Sequence, residues 1–246
     1  MSTTNERLRT PADPQPATAA DRRVRLLEPD DVRRASVVLA RAFADEPSAV
    51  ALLPDPTERR RLAVFKAEQV VRATLPHASV YGMEFRGELA GVAVWHPPNV
   101  TPRSAAATLR LLAGVTAFAP EFGRALAPAL PRLWEDRQAA LRIITQRSRA
   151  ARASTPGPTW YLAVLGTDPR FQGRGVARAL LDHILVRCDL DGVGAWLETT
   201  DPVNVPLYER FAFRTTAHLD GGAVVPDLWA MRREPQPLAA PDLTTD

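Results

Sequence analysis

The sequence predicts an α/β or α+β fold. Three observations predict this class: a short apolar strand at Val24 to Leu27 leads into an amphipathic helix, residues 78–98 alternate like a β-hairpin, and the apolar strand "TWYLAVLGT" leads through a glycine-rich turn into another helix. The full order is β-α-α-β-β-(helices)-β-α-β-α-β, without internal repeats. Such an order indicates sheet and helix layers around one core.

The first half of the chain contains two helices and the hairpin. A second helical pattern covers Glu58 to Leu75. The hairpin turn falls near Arg86-Gly87-Glu88, with alternating apolar residues on both arms. The helix after the first strand ends before Pro47 and has one apolar face, formed by Val32, Ala35, Val38, Leu39 and Ala42.

The second half alternates strands and helices after a long insertion. Residues 101–152 are rich in alanine and leucine and are broken by prolines, which predicts two or three inserted helices. Further on, "GAWLETT" is a strand, "VNVPLYERFAF" a short helix and "DLWAMRRE" a final strand. We therefore expect one domain over 24–233. The polar, proline-bearing ends predict a disordered tail at 1–23 and a flexible tail at 234–246.

Composition excludes several functional classes. The 246 residues are 46% hydrophobic, and 31 basic against 28 acidic residues leave a net charge of +3, too balanced to indicate a nucleic-acid-binding protein. Cys188 is the only cysteine, so we expect no disulfide and a reducing, cytoplasmic compartment. No apolar run has membrane-spanning length, and the N-terminus lacks a signal-peptide core. We expect no nucleic-acid or membrane partner and a monomer or homodimer. Asp45, Glu46 and Asp55 do not form a metal set, so no metal is expected.

The stretch "DPRFQGRGVARALL" at 168–181 has the chemistry of an anion-binding turn. A strand that passes through a short loop into a helix points free backbone N–H groups and the positive end of the helix dipole at one spot, which attracts phosphate. Gly173 and Gly175 let ligand oxygens approach the backbone, and Arg174 and Arg178 can add charge-assisted hydrogen bonds. The turn is predicted to hold a pyrophosphate. A P-loop would need a lysine and hydroxyl pair, and a dinucleotide-binding fingerprint would need glycine at 178.

The run from Gln172 to Ala177 instead matches Q/R-x-x-G-x-G/A, and the chain here resembles the GNAT superfamily of N-acetyltransferases. "WYLAVLGTDPRFQGRGVARALL" is similar to that family's central strand, loop and helix, and "AWLETTDPVNVPLYERFAF" is similar to its next strand and short helix. The resemblance is particularly close to puromycin N-acetyltransferases over 158–214 and spans most of 24–233. It implies the GNAT fold, a mixed central sheet that is splayed at the acetyl-CoA site, with a helical segment inserted between strands.

The resemblance also implies where acetyl-CoA binds as co-substrate. Its pantetheine arm would pair with the strand through Leu165, Gly166 and Thr167, and Asn204 would hydrogen-bond to the arm. The acceptor amine would arrive from the other side of the cleft, and transfer is direct, so no cysteine nucleophile is needed. The pyrophosphate would lie on Gln172, Gly173, Arg174, Gly175, Val176, Ala177 and Arg178.

Tyr208 is the candidate general acid. Within "N-x-P-x-Y-E-R-x-x-F", its phenol would stabilise the departing thiolate from hydrogen-bond distance of the sulfur. Asn204 lies four residues earlier, on the same helix face. The alternative is that Tyr208 is a core aromatic packed with Leu207 and Phe211; the motif favours the catalytic interpretation.

Glu46 and Glu198 are the candidates for a general base, with a water chain as the alternative. Glu46 stands where puromycin N-acetyltransferases have a tyrosine, and a carboxylate can bind a cation where a phenol can only stack or hydrogen-bond. Glu198 lies on the strand beside the cofactor; its alternative role is a carboxylate satisfied by backbone or by an arginine. His96 is an ordinary strand-end residue or part of the acceptor pocket. Core or pocket-wall positions are expected for Trp95, Trp160, Tyr161 and Trp196.

These observations predict an enzyme that moves an acetyl group from acetyl-CoA to an amine of a small molecule. The resemblance suggests an antibiotic or an aminonucleoside-like compound as the acceptor. Two alternatives stay open: a protein-lysine acetyltransferase, disfavoured because the inserted helices would roof the acceptor site, and a non-catalytic acyl-CoA-binding regulatory module, which would have no use for Tyr208.

Overall fold

One mixed sheet of seven strands organises the part of the chain that the structure describes. The computed structural model describes residues 21–46, 50, 55–76, 79–98, 157–220 and 226–237. In chain order the strands are β1 (Arg22–Leu26), β2 (Ser79–Phe85), β3 (Glu88–His96), β4 (Thr159–Thr167), β5 (Gly194–Thr199), β6 (Arg214–Leu219) and β7 (Leu228–Arg233). They lie in the order β1-β2-β3-β4-β5-β7-β6, and only β4 and β5 pair in parallel.

Within the ranges that the structure describes, four α-helices cover the two faces of the sheet. They are α1 (Val32–Ala42), α2 (Pro56–Thr74), α3 (Val176–Asp191) and α4 (Val205–Glu209). On one face, α1 and α2 pack over a cluster that includes Leu39, Val71 and Val92. On the other face, α3 packs over a larger cluster that includes Leu180, Leu162 and Leu197. We call these the α1 face and the α3 face.

The first helix follows its predicted face closely. Val32, Ala35, Val38 and Leu39 are each at most 4% exposed, because they lie within one stripe that meets the sheet. The hairpin turn is also where the sequence predicts it. Arg86 and Gly87 both have positive φ, 51° and 81°, which is the backbone of the two-residue turn that matches strand twist.

Some elements differ from the sequence predictions. β1 begins at Arg22, inside the segment expected to be a disordered tail, because its backbone pairs with β2 from Arg22 opposite Phe85 onward. β6 was not predicted, since "RTTAHL" is a largely exposed edge strand without apolar alternation. The segment expected to be a flexible C-terminal tail also contacts the domain, since Gln236 donates its backbone N–H to the Asp189 carboxylate at 2.7 Å. The predicted inserted helices at 101–152 lie outside the described residues.

Candidate active site

β4 and β5 separate halfway along their length. They pair only as far as Leu162 opposite Leu197, although β4 continues to Thr167 and β5 to Thr199. Beyond that point β4 is held by β3, and β5 by β7. The central sheet is therefore splayed, as predicted, and the edge of β4 that faces the cleft offers backbone N–H and C=O groups to a ligand.

A bulge in β4 accounts for the separation. β3 pairs Val94 with Val164 but Trp95 with Leu162, so Ala163 is an extra residue in β4. A bulge bends its strand and increases the local twist. Ala163 directly follows the last residue of β4 that pairs with β5. The register between β3 and β4 thus produces the cleft between β4 and β5.

The predicted cofactor segment of β4 lies in the separated part. Leu165 packs against the cluster on the α3 face. Gly166 lies under the last turn of α1: a Cβ there would be 2.8 Å from Leu39 Cδ2 and 3.1 Å from Ala42 Cβ. Thr167 is the last residue of β4 and pairs with β3. Position 166 therefore needs glycine because of helix packing, independently of any ligand.

The predicted pyrophosphate loop has the backbone of an anion site. Gly173 and Gly175 have φ values of 72° and 77°, in the left-handed region that favours glycine. A Cβ at Gly173 would meet nothing within 4 Å, so the space above this backbone is open. Gly175 precedes α3 and has no side chain to cap it, so the first-turn N–H groups of the helix are available to a ligand.

The other loop residues contribute in different ways. Gln172, Arg174 and Arg178 are exposed, and Arg178 Nε lies 3.5 Å from Asp182 on the same helix. Val176 is buried and Ala177 half-buried, so these two can offer a ligand only backbone groups. A cavity of about 380 Å³ begins beside Arg178 and continues between α3 and α4; residues 163–167 and 198–200 do not line it.

Asp168 anchors the start of the loop. Its carboxylate is wholly buried and accepts hydrogen bonds from the backbone N–H of Arg170 at 3.0 Å, from the Arg170 guanidinium at 3.1 Å and from Arg41 Nη1 at 3.0 Å. Burial alone would raise the pKa of Asp168, but these hydrogen bonds and the Arg170 charge outweigh it and lower the pKa. A charged Asp168 therefore joins the loop to the last turn of α1.

Tyr208 is buried in the cluster on the α3 face, 7% exposed, with the Phe213 ring edge-on at 6.0 Å. This cluster also contains Leu162 and Leu197, the last pair before β4 and β5 separate. Burial raises the pKa of Tyr208 to about 12. No hydrogen bond from its hydroxyl to another described residue is present. The phenol therefore stays protonated at neutral pH.

Glu46 reaches the end of β5 from the segment after α1. Its Oε1 accepts a 2.6 Å hydrogen bond from the hydroxyl of Thr200. Glu198 lies two residues earlier, and because Leu197 belongs to the α3-face cluster, strand alternation puts Glu198 on the α1 face. Both candidate bases are therefore at the carboxyl end of β5.

Three stacked rings cross the α1 face beside these carboxylates. The rings of Tyr161 and Trp196 are 4.1 Å apart and nearly parallel, and His96 stacks on Tyr161 at 5.9 Å. Trp196 and Glu198 share a strand face, as residues two apart do. Burial lowers the pKa of His96, and its Nδ1 is buried without a hydrogen-bond partner among the residues described. We call His96, Tyr161 and Trp196 the aromatic strip. Trp95 and Trp160 instead belong to the α3-face core.

The described ranges lack three other kinds of site: a metal site, a reactive thiol and a membrane-spanning helix. They contain no group of three or more His, Cys, Asp or Glu residues able to hold a metal ion, and Asp45 instead pairs with Arg59 at 3.2 Å. Burial raises the pKa of Cys188 to about 12, which keeps its thiol protonated. No helix in these ranges is long and apolar enough to cross a membrane.

The sequence does not predict two long-range contacts near these residues. Thr200 meets Glu46, and Arg41 meets Asp168, across separations of 154 and 127 residues. The residues next to each partner in the sequence do not indicate these contacts. Asp168 itself had a signal, since an Asp-Pro pair after an apolar strand is typical of a capped turn.

Comparisons with known proteins identify relatives of the chain. The acetyltransferase (GNAT) family matches residues 41–213. An "uncharacterized N-acetyltransferase" of Schizosaccharomyces pombe is 26% identical over 189 residues, which cover 76% of this chain and 72% of that protein.

Two solved structures share the fold. The histone acetyltransferase HPA2 and related acetyltransferase from Corynebacterium glutamicum has a TM-score of 0.59 at 21% identity, covering 89% of this chain and 99% of that one. The Drosophila melanogaster polyamine N-acetyltransferase has a TM-score of 0.55 at 12% identity, covering 87% and 100%.

The family match begins in the last turn of α1 and ends at Phe213, so it contains the splayed strands, the glycine-rich loop and the helix that carries Tyr208. It covers more than half of the chain, and its members use acetyl-CoA as acetyl donor. The protein therefore belongs to the acetyltransferase (GNAT) family and is an N-acetyltransferase.

Proposed function

We propose that the protein transfers the acetyl group of acetyl-CoA directly to a primary or secondary amine of a small molecule, within a single domain that includes all strands from β1 to β7 (22–233). The arrangement around the cleft carries this proposal. Tyr208 belongs to the cluster on the α3 face that also contains Leu162 and Leu197, the last pair before β4 and β5 separate. Glu46 and Thr200 meet at the end of β5, and α1 leads to Glu46. The proposal assigns the proton donor to Tyr208 and a proton acceptor to the end of β5.

The cofactor side of the cleft suits acetyl-CoA, which supplies an activated thioester. The exposed edge of β4 at Leu165, Gly166 and Thr167 can pair with an extended, amide-bearing arm as a neighbouring strand would. The half-buried side chain of Asn204, at the start of α4, offers both a donor and an acceptor for that arm. The open space over Gly173 and the uncapped start of α3 suit a pyrophosphate.

Tyr208 acts as the general acid in this proposal. Its phenol stays protonated at neutral pH because burial raises its pKa to about 12, and its hydroxyl has no competing acceptor among the described residues. It donates its proton to the sulfur as the carbon–sulfur bond breaks. The alternative interpretation, in which Tyr208 is a packed core residue, is compatible with this role because packing holds the ring in place.

The carboxylates act on the acceptor side. The attacking amine must be neutral, so Glu46 or Glu198 takes its proton, directly or through water. A carboxylate at position 46 also attracts a cationic amine before deprotonation. Thr200 orients Glu46 through its 2.6 Å hydrogen bond. The two glutamates stay alternatives as the base.

The acceptor is proposed to be an amine with a planar part, such as an aminonucleoside-like antibiotic. The aromatic strip beside Glu198 offers flat surfaces for a ring. The resemblance to puromycin N-acetyltransferases supports this class, and Glu46 in place of their tyrosine favours a more cationic compound. The single cysteine is consistent with a reducing cytoplasm as the place of action.

The test is release of free thiol from acetyl-CoA by the purified full chain. The panel contains puromycin, other aminonucleosides, aminoglycosides, polyamines, amino acids and a lysine-bearing peptide, and products are identified by mass. Thiol release with one acetylated small amine is the expected result. Turnover of the peptide alone would indicate a protein-lysine acetyltransferase.

Tyr208→Phe is the matched variant for this assay. We expect kcat to fall at least about a hundredfold, the lower range for a lost general acid, while calorimetric acetyl-CoA binding changes less than about twofold. Unchanged turnover would remove Tyr208 from the mechanism. Tight acetyl-CoA binding by the wild type without any thiol release across the panel would point to the regulatory module.

A further inference from the structure

Arg22 reaches the cofactor loop from a distant part of the chain. It is the first residue of β1, and Val24, two residues on, packs into the α3-face cluster, so Arg22 projects toward the same face as α3. Its Nη1 and Cζ atoms lie 3.7 and 4.0 Å from the place where a Cβ on Gly175 would be. The guanidinium therefore stands against the backbone that begins α3.

Arg174 brings a second guanidinium to the same corner. Its Cζ lies 5.4 Å from the centroid of the Phe85 ring, and Phe85 is the residue of β2 that pairs with Arg22. Stacking on a ring holds a guanidinium in place while leaving its N–H groups open to an anion. Two arginines, one from β1 and one from the loop, thus converge beside the left-handed glycines.

Neighbouring arginines have carboxylate partners among the described residues, and Arg22 and Arg174 do not. Arg86 lies 3.6 Å from Asp21, and Arg170 lies 3.1 Å from Asp168. Within the described ranges, neither Arg22 nor Arg174 has a carboxylate partner. Two unpaired cations next to the positive end of a 16-residue helix repel each other and the helix dipole unless an anion joins them.

We propose that Arg22, together with Arg174, binds a phosphate group of acetyl-CoA. The inference rests on the proposed function because it takes acetyl-CoA as the ligand. It does not depend on which amine is the acceptor. Arg22 lies outside the glycine-rich motif and is 150 positions away from it, so the motif does not assign it. The bound group is either the pyrophosphate or the 3′-phosphate of the ribose, and the two are separable by ligand choice.

The experiment is calorimetric binding of acetyl-CoA and of 3′-dephospho-acetyl-CoA to the full chain. The variant is Arg22→Gln, and the matched control is Arg23→Gln, which removes the same charge from the next residue on the opposite strand face. We expect Arg22→Gln to weaken acetyl-CoA binding by about three- to tenfold, as one charge-assisted bond near solvent does. Arg23→Gln should change it by less than about twofold.

The second ligand identifies the phosphate. A loss that persists with the dephospho ligand assigns Arg22 to the pyrophosphate, and a loss that disappears assigns it to the 3′-phosphate. Equal affinities of Arg22→Gln and Arg23→Gln for acetyl-CoA would overturn the inference and leave the proposed function intact. A wild-type chain that does not bind acetyl-CoA would overturn both. Because Arg22 begins a strand, Arg22→Lys serves as a second variant that keeps the charge and should retain most of the affinity.

Discussion

The hydroxyl of Thr200 donates a 2.6 Å hydrogen bond to Oε1 of Glu46, and this bond joins the segment after α1 to the end of β5. It fixes the Glu46 carboxylate next to the residue that follows β5. Besides this hydrogen bond to Thr200, Glu46 makes at least one other interaction with the protein. A carboxylate held this way has a defined direction in which to meet an amine.

Thr200→Val should therefore impair the use of the acceptor. The variant keeps shape but loses the hydrogen bond, so we expect the KM of the acceptor to rise by about three- to tenfold, as for one net hydrogen bond. Acetyl-CoA affinity should stay within about twofold, since the loop lies elsewhere. Steady-state kinetics with Thr200→Ser as control measures this. Serine keeps the hydroxyl, and equal kinetics of the two variants would argue against the role.

Tyr208 should make stability fall at alkaline pH. Its ordinary pKa is 10.0 and burial raises it to about 12 in the folded chain. Between these values the folded state keeps a proton that the unfolded state releases, so the free energy of unfolding falls as pH rises, by at most about 1.4 kcal/mol per unit. Below pH 10 this contribution is fully present.

Tyr208→Phe isolates the effect. Urea unfolding of both proteins at increasing pH should give a smaller decline for the variant, because phenylalanine does not titrate. Cys188, whose pKa burial also raises to about 12, is present in both and cancels in the difference. At pH 7 the two stabilities should agree within about 1 kcal/mol, since the hydroxyl lost has no partner among the described residues. Parallel declines would contradict the prediction.

Gly166→Ala should destabilise the protein by about 1–3 kcal/mol, the usual cost of overpacking. The added methyl would lie 2.8 Å from Leu39 Cδ2 and 3.1 Å from Ala42 Cβ. Urea unfolding measures the loss. Leu39→Ala in the same chain removes the nearest clash, so the double variant should be less destabilised than the sum of the two single variants. Simple additivity would show that α1 is not packed on Gly166.

Asp168→Asn should loosen the cofactor loop. We expect a loss of about 1–3 kcal/mol of stability, less than for a wholly buried pair because Arg41 and Arg170 are about half exposed. Acetyl-CoA binding should weaken as well. Glu88→Gln is the control, since Glu88 also contacts Arg170, at 3.2 Å, but is exposed.

The pH dependence gives a second readout for Asp168. Its pKa lies below the ordinary 3.8 when folded, so its contribution to stability is present above pH 3.8 and is lost as the pH falls through the lowered pKa. The asparagine variant should lack this part of the acid-induced decline. Identical acid profiles of wild type and variant would contradict a charged Asp168.

Local pattern was enough to predict the elements that surround the site. α1 buries the stripe that its apolar spacing predicts, and the turn at Arg86-Gly87 follows from a glycine between two alternating segments. The turn before α3 was predictable because its backbone depends on a few consecutive residues, among them Gly173 and Gly175 with positive φ.

Features that depend on pairing between distant segments were not predictable. The bulge at Ala163 arises from the register of β3 against β4, and nothing within β4 announces it. β6 has no apolar alternation because it is an edge strand with mostly exposed side chains. Arg22 lies in a segment that seemed unstructured, since its polar neighbours conceal a backbone that pairs with β2. The site residues named from the motifs remain predictions until binding and kinetics test them.

The bulge at Ala163 also bears on how such an enzyme can diversify. One extra residue lies where β4 parts from β5, and β3 and β4 stay paired on both sides of it with the register shifted by one. In the proposed function the aromatic strip and position 46 meet the acceptor, and none of these residues belongs to the glycine-rich loop or to α3, so substitutions there should change the accepted amine and leave the loop intact. Related enzymes that keep this bulge could therefore change their acceptor by substitutions on the α1 face alone.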